Sequence, residues 1–143
     1  MLEQLINLVK ENAGDAIIKN PAIPNQKNDA AIKATAASIL NSLKGQMSGG
    51  NANGITDLIK GGNVANNPMV ANITQQVSAQ LMKKFGLDNS AAASVVGSLI
   101  PAVMSQLSKK TMDPNDNSFT LDGVMNGLSG GGGILGALKG LFK

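Results

Sequence analysis

Apolar side chains recur along this chain at steps of three and four residues, and glycine, proline and asparagine break the pattern at each boundary. That period lays them on one stripe of an α-helix, so the fold must be built by burying helix stripes against one another. Leu2, Leu5, Ile6, Val9, Ala13, Ala16 and Ile17 make the first such stripe and send Glu3, Asn7, Lys10 and Glu11 outward. The helix is expected to stop near Asn20, because Pro21 disfavours helical geometry in its predecessor and Pro24 keeps Pro21-Ala22-Ile23-Pro24 extended. Asn25 or Asn28 is placed to cap the next helix.

That second helix is predicted from about Lys27 to Met47, with Ile32, Ala36, Ile39, Leu40, Leu43 and Met47 inward and many alanines to allow close packing. Ser48-Gly49-Gly50-Asn51-Ala52-Asn53-Gly54 reads as a flexible surface connection, and Ile55, Leu58 and Ile59 as one or two helical turns before Gly61-Gly62. Asn67-Pro68 then opens a longer helix whose buried stripe is Val70, Ile73, Val77, Leu81 and Phe85. Gly86 is placed to end it in a left-handed conformation, with Asp88 or Ser90 capping the next helix at once, so the two should form a tight hairpin.

From Ala91 to Leu107 the chain is apolar nearly all round, through Val95, Val96, Leu99, Ile100, Val103, Met104 and Leu107, which predicts a helix at the centre of the domain. Pro101 crowds the carbonyl of Gly97 and predicts a kink, with the missing side chain of Gly97 easing the packing nearby. A polar loop is expected over Thr111 to Ser118. Beyond it comes a short last helix, carrying Leu121, Val124, Met125 and Leu128 behind a Thr120 cap. Gly130 to Gly133 make a hinge, after which Ile134, Leu135, Leu138, Leu141 and Phe142 return to helical spacing. The expected fold is therefore all-α: a multihelical single domain over 1–129 with a central kinked apolar helix, then a Gly-rich hinge and amphipathic C-terminal tail over 130–143.

The chemistry open to the chain is narrow. Its 143 residues include no Cys, His, Trp, Tyr or Arg, which removes imidazole bases, thiolates, soft metal ligands and disulfides. The remaining acids, Glu3, Glu11, Asp15, Asp29, Asp57, Asp88, Asp113, Asp116 and Asp122, are dispersed over helix faces and caps rather than paired as a hydrolase requires. The net charge of +3 comes from twelve lysines scattered among nine acids, without the dense Arg-rich and aromatic surface of a nucleic-acid binder. Acidic and amide groups interrupt the first ten residues, unlike a secretory signal, and no uninterrupted apolar run reaches the roughly 18–20 residues of a bilayer span. A cytoplasmic location is the expectation.

Three short motifs have plainer structural explanations than functional ones. Asp113, Asn115 and Asn117 alternate as oxygen ligands do at the start of a calcium loop, with Asp122 further on. The sixth position is Ser118 rather than Gly and the twelfth is Val124 rather than Glu, so an Asn/Asp-rich turn is the better reading. Gly131-Gly132-Gly133-Ile134-Leu135-Gly136 spells a dinucleotide fingerprint without the strand or the βαβ unit that would give it meaning. Asn72-Ile73-Thr74 spells a glycosylation sequon inside a predicted helix.

Several segments together resemble the YidB-like family of small bacterial proteins: Asn20-Pro21-Ala22-Ile23-Pro24-Asn25, Phe85-Gly86-Leu87-Asp88 leading through Ala91 to Leu99-Ile100-Pro101, and Asp113-Pro114 with Phe119. The likeness extends to about Leu128 and is strongest over the hairpin helix from Gly86 to Leu107. The resemblance implies a multihelical bacterial protein of uncharacterised function and brings no catalytic residue with it.

The functional expectation is a non-catalytic structural or interaction protein that self-assembles into a homo-oligomer, closed or filamentous, through Ile134, Leu135, Leu138, Leu141 and Phe142. Its alternative is a peripheral membrane-binding module in which those side chains insert while Lys139 and Lys143 meet headgroups. No cofactor, metal, nucleic acid or small-molecule substrate is expected; the partner is the chain itself or a membrane surface.

Overall fold

In the computed structural model, which describes residues 2–61, 67–113, 115, 120, 123 and 124, the chain forms five α-helices and no strand among those residues. The helices are α1 (Leu2–Asn12), α2 (Asn28–Ser48), α3 (Ala52–Gly61), α4 (Pro68–Phe85) and α5 (Asn89–Met112). Helix α1 packs on α2, α2 on α4, α4 on α5, and α5 back on α1, so these four close a ring around one core. Helix α3 packs on α5 and on α2. The core is almost wholly aliphatic: Leu5, Leu8, Ile17, Ile39, Leu43, Ile55, Leu58, Ile73, Leu81, Leu99 and Ile100 are among its fully buried side chains. With no Trp or Tyr in the chain, stability rests on many medium-sized contacts, each fully buried side chain contributing about 1.5–3 kcal/mol.

The first stripe is not one helix. Helix α1 ends at Asn12, whose Nδ2 donates to the Leu8 carbonyl at 2.9 Å, and a π-helical turn succeeds it over Gly14–Ile18. The widened turn is visible in its bonds, Ile18 N to Ala13 O at 3.0 Å and Lys19 N to Gly14 O at 2.9 Å. Gly14 weakens the α-helical register there, and the extra residue turns Ile17 fully into the core while leaving Ile18 43% exposed. Asn20 then joins the turn to the Pro21 connection: its Nδ2 donates to the Ala16 carbonyl at 3.1 Å and its Oδ1 accepts from the Ala22 N–H at 2.9 Å.

Neither Asn25 nor Asn28 caps α2 through its side chain. A 3-10 turn over Asn25–Lys27 leads directly into the helix, and Lys27 occupies the cap position. The connection after α2 is also shorter than expected. Gly49 N and Asn51 N are held by the carbonyls of Gly45 and Gln46 at 3.0 and 2.9 Å, so α3 begins at Ala52. The early start lets Ile55, Leu58 and Ile59 lie on one complete helical face in the core.

The α4–α5 hairpin forms as its residues dictate. The Asn67 side chain accepts from Met69 N at 2.9 Å with Pro68 in the first turn, and Gly86 closes α4 at φ 66°. The Asp88 side chain accepts from Ala91 N at 2.7 Å and caps α5. Replacing Asp88 by alanine removes that bond and the carboxylate at the positive end of α5, and is expected to lower unfolding free energy by about 1 kcal/mol in urea melts, with Asp88→Asn retaining most of it.

Helix α5 runs unbroken through Pro101 to Met112, past the Lys109-Lys110 pair and into the segment expected to be loop. Gly97 lies on its exposed face, where an added Cβ would meet nothing within 4 Å, so the glycine relieves no crowding against a neighbour. Beyond α5, Thr120 acts as the expected cap: Gly123 N donates to its Oγ1 at 3.0 Å and Val124 N to its carbonyl at 2.8 Å, with Val124 buried in the main core. Leu121, Met125, Leu128 and the 129/130 boundary lie outside the described residues.

Candidate functional site

The five side chains expected to make the contact surface, Ile134, Leu135, Leu138, Leu141 and Phe142, lie outside the described residues, as do the hinge and the glycine-rich fingerprint before them. What the structure does define are the surfaces left to a partner and the polar groups arranged on them.

The outer face of α5 is the first of these surfaces. Its bulky side chains, Val95, Val96, Leu99, Ile100, Val103, Met104 and Leu107, form a buried stripe, whereas Ser90, Ala93, Ser94, Gly97 and Ser98 are exposed and Pro101, Ala102 and Ser105 half-buried. A helix that reads as apolar all round is thus apolar on one side and small on the other. Over this 24-residue helix the best window has mean hydropathy 1.4, enough in length and composition to cross a membrane, and 44% of that window is buried inside the fold. Its neighbours α1, α3 and α4 account for that burial.

Two polar ties connect the helices. Ser108 on α5 is buried and its hydroxyl donates to the Ile59 carbonyl of α3, supplying a partner to a group near the end of that helix. Ser42 on α2, also buried, donates through Oγ to Gln76 Oε1 on α4 at 2.8 Å, and Gln76 Nε2 in turn donates to Asn72 Oδ1 at 3.2 Å. These bonds fix the Gln76 amide beside a groove of about 260 Å³ between α2 and α4. Ala37 and Ala79 line it with apolar surface, and Ser38, Asn41, Gln76, Gln80 and Lys84 with polar surface.

The acids do not gather. Glu3, Glu11, Asp29, Asp57, Asp88 and Asp113 are all exposed and are spread over α1, α2, α3 and the two ends of α5, and among the described residues no three acids stand close enough to hold a metal ion. Asp88 is committed to its cap, and Asp113 Oδ1 accepts from Asn115 N at 2.9 Å in an Asx turn, the geometry expected of the Asn/Asp-rich turn. Asn117 and Asp122 lie outside the described residues. In the sequon, Ile73 is fully buried, Thr74 Oγ1 donates to the Val70 carbonyl at 2.7 Å and Asn72 binds Gln76, so all three residues serve the helix.

Comparison with known families, curated proteins and solved structures finds no match. Function is therefore to be read from the surfaces themselves. Of these, sequence reasoning missed the α2–α4 groove. Its only signal was a patch of small and amide residues, Ala37-Ser38 with Asn41 and Gln76 with Ala79-Gln80, at positions where both helices carry no bulky side chain.

Proposed function

We propose that this is a non-catalytic structural or interaction protein that self-assembles, with the apolar C-terminal segment of one chain received by another. The observation that carries the reading is the face of α5. A long helix buries only one stripe and presents Ala93, Ser94, Gly97 and Ser98 to the outside, none larger than serine, so another helix can approach its backbone closely. The tail supplies a segment of fitting character, since Ile134, Leu135, Leu138, Leu141 and Phe142 recur in the sequence at helical spacing behind four consecutive glycines. Such a tail-to-body contact is heterologous, and closes into a ring or continues as a filament according to its geometry. The resemblance to YidB-like proteins belongs to this proposal, as does a cytoplasmic setting for it.

The test is light scattering coupled to size-exclusion chromatography, comparing the full chain with one ending at Ser129 over a range of concentrations. The expected result is a concentration-dependent assembly in the full chain that collapses to the mass of one chain on truncation. A monomer in both forms overturns the reading. The competing use of the same segment, insertion into a lipid surface, predicts instead that only the full chain floats with liposomes.

A further inference from the structure

We propose that Met112 is a reversible oxidation site, at which a peroxide deposits one oxygen on the chain without loosening the fold. The chain has no Cys, His, Trp or Tyr, so its methionine thioethers are the side chains on which a two-electron oxidant acts. A thioether has no proton to lose and needs no neighbouring base, so access to solvent ranks one methionine against another. Among the described residues that ranking is steep. Met112 ends α5 and, at 50% exposed, is the most exposed of the large apolar side chains. Met69 and Met104 are 6% and 2% exposed in the core, and Met47 and Met82 are partly buried against it.

In the reaction a lone pair of the Met112 sulfur attacks one oxygen of hydrogen peroxide. A sulfur–oxygen bond forms as the oxygen–oxygen bond breaks, and the departing hydroxide takes the proton of the transferred hydroxyl and leaves as water. Sulfur gives up two electrons and the peroxide takes them. What the product does depends on where it forms. At Met104 a polar sulfoxide would stand in an aliphatic core, the ordinary route by which methionine oxidation disrupts packing. At Met112 the new oxygen meets water, and the core is left as it was, because the side chain is no part of it. The same exposure admits the reductases that return each sulfoxide epimer to the thioether. This site is independent of the tail, so its failure leaves the assembly reading untouched.

The experiment treats the folded full chain with excess hydrogen peroxide, quenches samples over time with catalase, and locates the added oxygen by tandem mass spectrometry of tryptic peptides. Fragment ions separate Met112 from Met125, which shares its peptide. Met112 should gain oxygen on the order of tenfold or more faster than Met69 and Met104, which react only when the fold opens. Chains carrying the Met112 sulfoxide, with Met69 and Met104 still reduced, should melt within about 2 °C of the untreated protein by circular dichroism. A mixture of the two classes of methionine sulfoxide reductase should then return Met112 to its original mass. Oxidation of Met69 or Met104 that keeps pace with Met112, a Tm that falls in step with the Met112 sulfoxide, or a sulfoxide that the reductases leave in place overturns the proposal.

Discussion

Replacing Leu99 by alanine should destabilise the fold by about 2–5 kcal/mol, the largest single effect expected of a neutral substitution in this chain. Leu99 is 1% exposed in the buried stripe of α5, the helix that touches α1, α3 and α4 at once. Truncation leaves a cavity in an almost wholly aliphatic core, and the surroundings close over it only in part. No aromatic ring of Trp or Tyr stands near to swing into the space, because the chain has none. Thermal unfolding followed by circular dichroism should show a fall in Tm of about 10 °C or more. Ser98→Ala, one residue away on the exposed face, should stay within about 0.5 kcal/mol of the parent. Equal losses at the two positions would mean that the outward face of α5 is packed in the free chain.

The second large effect is expected from Leu138→Lys combined with Leu141→Lys, which keeps the length and the glycine run of the C-terminal segment while removing two of its apolar side chains. Each leucine buried in a contact contributes about 1.5–3 kcal/mol, so the pair should weaken tail-mediated assembly at least about a hundredfold. Light scattering should then report the 14.6 kDa of a single chain at concentrations where the parent is assembled. The same variant separates the two uses of the tail. Lysines near an anionic bilayer each gain about 1 kcal/mol, so a lipid-binding tail would keep part of its affinity for vesicles containing phosphatidylserine. A protein contact receives no such compensation. Assembly that persists undiminished in the double variant sinks the tail as the contact element.

Much of the fold was legible because local chemistry and tertiary packing agree. Asn67-Pro68, Gly86, Asp88 and Thr120 each mark an element boundary by an effect confined to a few residues: a cap, a fixed φ, a left-handed turn. The stripes from Val70 to Leu81 and from Val95 to Leu107 fall in the core for the same reason, since bulky aliphatic groups at helical spacing have nowhere else to be buried. Expectation and structure part where two local tendencies compete. Around Ala13-Gly14 the apolar spacing continues but the backbone widens into a π turn, so Ile17 and Ile18, alike in chemistry, divide between core and solvent. At Asn51 to Gly54 the composition speaks for a loop, yet burial of Ile55, Leu58 and Ile59 recruits Ala52 and Asn53 into helix.

By itself the sequence determined that the protein is helical, where most of its helices begin and end, and which chemistries it lacks for want of Cys and His, because periodicity, capping and residue inventory are properties of the chain. Tertiary structure alone decided which side of α5 faces outward and that Ser38 and Lys84, far apart in order, share a groove. The reason is that burial and juxtaposition depend on which helices are neighbours, and ring closure of α1, α2, α4 and α5 is a choice made by all the stripes together. A serine on a helix carries no local mark of whether another helix will cover it.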